Sequence, residues 1–112
     1  MEFALNVEIT EGLAVLAVQG EVDMHSSPRV REAQSKALAE SAKGVVIDLS
    51  GVGYMDSSGI ATLIEGLQRA KRDGRNFRLA GLTAAVRDVF DLARLADVFE
   101  IFPTRDEALK GT

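Results

Sequence analysis

The chain has 112 residues and no cysteine, so it can form one domain with its own core but has neither disulfides nor a thiolate metal site. Hydrophobic residues make up 46% and charged residues 27%, as in ordinary globular domains. A net charge of −4 excludes a general attraction to nucleic acid or anionic lipid. The N-terminus lacks signal-peptide features, and no apolar run reaches the length of a membrane span. We therefore expect a cytoplasmic protein that neither binds nucleic acid nor inserts into membranes.

The first part of the chain predicts an antiparallel hairpin at one edge of a sheet. Apolar and polar residues alternate from Phe3 to Thr10, which is typical of a strand with one wet face. Glu11 and Gly12 turn the chain into a more apolar strand, residues 13–18, and Gly20 then breaks the pattern.

A polar connection, residues 21–28, leads from this hairpin into the first helix. Ser27 is placed to cap that helix and Pro28 to occupy its first position, where the missing N–H costs little. The expected buried face is rich in small residues and comprises Val30, Ala33, Ala37 and Leu38.

The middle of the chain has a nearly continuous apolar run at residues 45–49, typical of a strand covered on both faces. A short glycine-containing connection follows, and the spacing of apolar residues from Ile60 then becomes helical, up to about Arg72. The first backbone N–H groups of a helix lack partners, so Ser57 is either a plain cap or a hydroxyl presented for modification.

The rest of the chain continues the alternation of strands and helices. We predict strands at residues 77–80 and 98–102, and helices capped by Thr83 and Thr104. The fold class is therefore α/β, a mixed and mostly parallel sheet of about five strands with an N-terminal hairpin, covered by about four helices. Because parallel strands share their carboxyl ends, the polar connections at residues 21–27 and 54–59 are expected to be neighbours in space.

Catalytic motifs are weak in this sequence. The residues around Ser57 lack the leading glycine of a nucleophile elbow, and His25 is the only histidine available as a base. Phosphate-binding glycine loops are absent. Asp23, Asp56 and Glu21 lack the regular spacing of a metal site. We predict no enzyme, no cofactor and no metal; the alternative is an enzyme with Ser57 as its nucleophile.

Five segments together carry a resemblance: Gly20-Glu21-Val22-Asp23, Ser26-Ser27-Pro28, Val46-Ile47-Asp48-Leu49, Tyr54-Met55-Asp56-Ser57-Ser58-Gly59, and Val86-x-x-Val89-Phe90-Asp91-Leu92-x-x-Leu95. They resemble the bacterial anti-sigma factor antagonists of the sulfate transporter and anti-sigma antagonist (STAS) family, over nearly the whole chain. The resemblance implies one STAS domain at residues 1–112, with Ser57 as the phospho-acceptor. It also implies two partners, an anti-sigma factor with serine kinase activity and a serine phosphatase.

The resemblance further implies that the unphosphorylated form binds the kinase and so releases a sigma factor, and that phosphate on Ser57 abolishes binding. Candidate partner-binding residues lie in the two polar connections: Asp23, Met24, Ser26, Met55, Asp56, Ser58, Gly59 and Ile60. Several have structural alternatives: Asp23 can close a turn, Asp56 and above all Ser58 can cap the helix, and Met55 can be core.

Two features depart from the family pattern. Ile60-Ala61 replaces a frequent Leu-Gly, which narrows the approach of a partner, and Arg94 stands where the family often has glycine. A rival interpretation within the family is a scaffold subunit of a transport or signalling complex that acts without phosphorylation.

Overall fold

The computed structural model describes residues 2–111, so the two end residues of the predicted domain, Met1 and Thr112, lie outside the described part. Five strands and four helices follow in the order β1 (Ala4–Thr10), β2 (Leu13–Val22), α1 (Ser27–Glu40), β3 (Gly44–Met55), α2 (Ser57–Arg72), β4 (Asn76–Ala80), α3 (Ala84–Leu92), β5 (Glu100–Phe102) and α4 (Arg105–Lys110).

The strands form one sheet in the order β1-β2-β3-β4-β5. β1 pairs antiparallel with β2, and every other pair is parallel, which confirms the predicted mixed α/β sheet with an N-terminal hairpin. Thr83 and Thr104 cap α3 and α4 as predicted, each accepting a backbone N–H three residues further on. Within residues 2–111, none of the helices combines the length and apolar character needed to cross a bilayer.

The apolar core lies mainly on one face of the sheet. Alternate residues of β3, such as Val45 and Ile47, pack there with the apolar faces of α1, α2 and α3. On the opposite face a smaller cluster joins Val46 to Ala108 of α4. Both faces of the central strands are therefore covered, which explains the continuous apolar run at residues 45–49.

Strands β2 and β3 are longer than predicted. β2 continues through Gly20 to Val22, and β3 continues through the glycine-containing stretch to Met55. Two register shifts, one beside Gly20 at φ +110°, let the ends of the two strands keep pairing. β5, in contrast, begins two residues later than predicted, at Glu100.

Candidate functional site

The two polar connections predicted to be neighbours do meet, at the carboxyl ends of β2 and β3. Glu21 pairs with Tyr54 and Val22 pairs with Met55 in the parallel register. The backbone N–H of Asp56 then donates to the Val22 carbonyl at 3.1 Å. These bonds hold the loop after β2 beside the start of α2.

Asp56 is the N-cap of α2. Its carboxylate accepts the backbone N–H of Ser58 at 3.0 Å and the Ser58 hydroxyl at 2.5 Å. Its carbonyl accepts the N–H groups of Gly59 and Ile60. The prediction that Ser58 is the cap is therefore wrong, and the alternative that Asp56 caps the helix is realised. α2 begins at Ser57, two residues earlier than a Ser58 cap would place it.

Ser57 is the first residue of α2, and its side chain is exposed. Among residues 2–111 its hydroxyl makes no hydrogen bond, whereas the Ser58 hydroxyl is half-buried and held by Asp56. The two adjacent serines therefore differ in availability. Only the first presents a free oxygen to solvent.

Asp23 organises the loop after β2. Its carboxylate accepts the backbone N–H groups of His25 at 2.9 Å and Ser26 at 3.1 Å. The Ser26 N–H, and then that of His25, hold the pKa of Asp23 below its ordinary value. One carboxylate oxygen closes this turn, so the structural alternative noted for Asp23 is realised, and the side chain remains partly exposed.

Ser26, predicted to contact a partner, is buried at 9% exposure. Its hydroxyl donates to the Glu21 carbonyl at 2.7 Å and accepts the Asp23 N–H at 3.0 Å. It occupies the N-cap position of α1 but gives that helix no side-chain cap. The prediction that Ser27 caps α1 is also wrong, because Ser27 already lies inside the helix and is buried.

The expected apolar patch around the site is smaller than predicted. Met24 is 71% exposed, but Met55 and Ile60 are buried at 2% and 8%. The core alternative noted for Met55 is therefore realised, and Ile60 is not available as an exposed contact residue. Met55 points inward from β3, and Ile60 lies on the apolar stripe of α2. Tyr54, which was not among the predicted partner-binding residues, is 49% exposed because neighbouring strand residues face opposite sides.

Gly59 serves the packing of α2 rather than the approach of a partner. The residue is buried, and a Cβ built on it would lie 2.6 Å from Met55 Cγ and 2.9 Å from Val22 Cγ1. Only glycine lets the first turn of α2 sit this close to the ends of β2 and β3.

We define the Ser57 surface as five residues with accessible side chains at this end of the sheet: Asp23, Met24, Tyr54, Asp56 and Ser57. They combine two carboxylates, a free hydroxyl and two apolar side chains. Across residues 2–111, no cluster of three or more His, Asp or Glu side chains could hold a metal ion. His25 is exposed, and in the described structure its ring makes no hydrogen bond to Ser57.

Comparison with known proteins matches residues 4–108 to the family model described as STAS domain. The anti-sigma-B factor antagonist of Bacillus subtilis is 30% identical over 90% of this chain and 92% of its own length. The anti-sigma-F factor antagonist RsfB of Mycobacterium tuberculosis is 29% identical over 89% of this chain and 81% of its own.

Among solved structures, an anti-sigma factor antagonist from Mycobacterium paratuberculosis superimposes with a TM-score of 0.89 at 30% identity. The match covers 98% of this chain and 93% of that one. The family match spans almost every element described above, from β1 into α4. The chain therefore belongs to the STAS domain family, and within it resembles the bacterial anti-sigma factor antagonists.

Proposed function

We propose that this chain, residues 1–112 as one STAS domain, is a non-enzymatic switch controlled by phosphorylation and acting in the cytoplasm. Its unmodified form binds an anti-sigma factor that is also a serine kinase, which frees the sigma factor. The kinase phosphorylates Ser57, which abolishes binding, and a serine phosphatase reverses the modification. The names of the relatives support the antagonist role.

The observation that carries the proposal is the contrast between the two adjacent serines. A kinase must bring the attacking hydroxyl in line with the γ-phosphate, so the acceptor oxygen has to be exposed and unengaged. Ser57 meets both requirements. Ser58 meets neither, because its hydroxyl would first have to break the 2.5 Å bond to Asp56.

Electrostatics explains how one phosphate would change binding. A phosphoserine at position 57 adds about −1.5 to −2 charge at neutral pH. The adjacent Asp56 carboxylate already accepts the backbone N–H of Ser58 at the start of α2. The partial positive charge of this helix start therefore offsets less of the added phosphate charge than an uncapped helix start would. A carboxylate of the partner about 5 Å from this phosphate, in a partly solvated setting, would be repelled by roughly 3 kcal/mol, a factor of about a hundred in affinity.

Met24 and Tyr54 supply the apolar part of the same surface. Both are substantially exposed, at 71% and 49%, next to the polar residues. Aromatic and methionine side chains are enriched where proteins bind one another. The partner therefore gains apolar contacts from these two side chains, while the Ser57 hydroxyl sits where added charge opposes docking.

The test uses the purified chain, its cognate anti-sigma factor kinase and ATP. We expect one phosphate per chain, with the modified residue mapped to Ser57 by mass spectrometry. Ser57→Ala should incorporate none, whereas the matched control Ser58→Ala should still incorporate one. Binding measured by calorimetry should weaken about a hundredfold in Ser57→Asp, with an unchanged circular dichroism spectrum.

Two results would contradict the proposal. One is kinase binding by Ser57→Asp as tight as that of the unmodified chain. The other is phosphate incorporation that persists in Ser57→Ala and disappears in Ser58→Ala. A serine-directed covalent probe that labels Ser57 would instead favour the rival enzymatic interpretation.

A further inference from the structure

The edge strand β1 is unusually open. It is seven residues long, six of them are exposed, and its outer backbone groups have no strand partner among residues 2–111. Natural edge strands are usually protected by lysine, proline, a bulge or short length. β1 has only one charged residue, Glu8, and pairs regularly with β2 along its whole length.

The opposite edge of the sheet shows the usual protection. β5 has three residues, Pro103 follows it directly, and α4 packs against this side. The two edges are therefore not equivalent. An unprotected edge on one side only suggests that β1 is covered by another chain.

An apolar recess of about 290 Å³ lies between β1 and α1. Val7 and Ile9 line it from the strand, at 43% and 54% exposure, and Ala33 and Ala37 line it from the helix. Both strand residues lie on the face of the sheet that α1 covers, because their partners in β2 belong to the main core. The open strand edge and the recess are thus continuous.

Two opposite charges border the recess, Lys36 and Glu40, one helical turn apart on α1. Both are exposed, and neither forms an ion pair with another described residue. In a dimer of this chain with its two-fold axis beside α1, the α1 helices of the two copies run in opposite directions. With the axis midway between the two charges, Lys36 of each copy faces Glu40 of the other, so the charge pattern is self-complementary.

We propose that the occupant of this surface is a second copy of the chain, paired antiparallel through β1 with the two α1 helices alongside. The two five-stranded sheets then join into one, and Val7 and Ile9 of both copies fill the recess between the helices. Because the two-fold axis reverses the strands, the two Ser57 surfaces point to opposite ends of the dimer. Dimerisation therefore leaves both accessible and is independent of the phosphorylation proposed above.

The test measures the monomer–dimer equilibrium of the full chain by sedimentation equilibrium over a wide concentration range. Variants of Lys36 and Glu40 then probe the self-complementary charges. We expect a monomer–dimer equilibrium. Lys36→Glu alone and Glu40→Lys alone should each weaken dimerisation at least about tenfold, because every cross-pair becomes repulsive. An equimolar mixture of these two variants should form heterodimers, since both cross-pairs are attractive again, and misfolding cannot produce that recovery.

Ile9→Lys provides a second, apolar test and should also yield monomers. A circular dichroism spectrum like that of the unmodified chain confirms that this variant folds. The proposal is overturned by an unmodified chain that stays monomeric up to about millimolar concentration, the result expected if only a different protein covers this groove. It is equally overturned by a dimer that neither the charge variants nor Ile9→Lys weaken.

Discussion

The attachment of α4 to the sheet depends on one buried ion pair, and its loss should be measurable. The Asp48 carboxylate is on β3 and is 8% exposed. One of its oxygens accepts two N–H groups of the Arg105 guanidinium, at 3.0 and 2.8 Å. The other accepts the backbone N–H of Ser50 at 3.0 Å. Each carboxylate oxygen therefore has a charged or backbone donor.

Replacing Arg105 with alanine leaves this buried carboxylate without its cation. Breaking a fully buried pair costs about 3–5 kcal/mol, but the Arg105 side chain is 36% exposed, so water can replace part of its effect. We expect Arg105→Ala to lower the free energy of unfolding by about 2 kcal/mol at pH 7. The control is Arg31→Ala, whose partner Glu65 is 57% exposed and whose loss should cost at most about 1 kcal/mol.

The pH dependence gives a sharper signature. Burial raises the pKa of Asp48, but the hydrogen bonds from Ser50 and the charge of Arg105 outweigh it and hold that pKa below its ordinary value. A lowered pKa adds stability that is present above the unfolded value of about 3.9 and is lost as the pH falls through the folded value. The difference in the free energy of unfolding between the unmodified chain and Arg105→Ala should therefore become smaller below about pH 4.

Urea denaturation followed by circular dichroism between pH 7 and pH 3.5 measures this difference. Equal losses of stability in Arg105→Ala and Arg31→Ala at pH 7 would refute a stabilising role for the Asp48–Arg105 pair. A loss that stays constant down to the lowest pH would likewise show that the carboxylate charge is not its cause.

Substitutions at two positions, Gly59 and Asp56, test the start of α2. Gly59→Ala should lower the free energy of unfolding by about 1–2 kcal/mol in urea denaturation, because its Cβ overlaps Met55 and the helix-propensity gain offsets only part of the strain. Gly53→Ala, with open space around the new methyl group, should be neutral, and equal stability of the two variants would contradict the packing role. Asp56→Ala should lower the free energy of unfolding by about 1 kcal/mol, measured by thermal unfolding. Asp56→Asn should lower it clearly less, because asparagine keeps an acceptor for the Ser58 N–H. Equal losses in the two variants would show that capping is not the cause.

Periodicity in the sequence was sufficient for most of the fold. The helical spacing from Ile60 correctly indicated α2, and the alternation from Phe3 correctly indicated β1. Local turn chemistry correctly located the caps at Thr83 and Thr104. These features depend on residues that are close together in the sequence, so they can be predicted without knowledge of tertiary contacts.

Features that depend on distant contacts could not be predicted. Gln34 has a polar side chain on α1, yet it is 1% exposed and donates to the Thr62 carbonyl of α2 at 2.6 Å. Its burial follows from the close approach of Gly66, where a Cβ would lie 2.8 Å from the Gln34 side chain. No pattern within either helix reveals that approach.

The same limit applies to the candidate site. Residues 50–55 include two glycines, so locally they favour a loop, yet pairing with β2 keeps them in a strand. That extension decides which side chains face solvent, since it turns Met55 inward and Tyr54 outward. The apolar part of the Ser57 surface therefore follows from a tertiary pairing, whereas Ser57 was proposed as the acceptor from the sequence alone.

The way Ser57 is held also bears on how the proposed switch would work. Its helix start is tied to β2 through the Asp56 N–H, to Ser58 through the Asp56 carboxylate, and to the strand ends through the tight packing of Gly59. A segment constrained on three sides has little freedom to rearrange when a charged group is added beside it. Phosphate at this position would therefore act through charge at the docking surface, and the proposed hundredfold loss of binding requires no structural rearrangement.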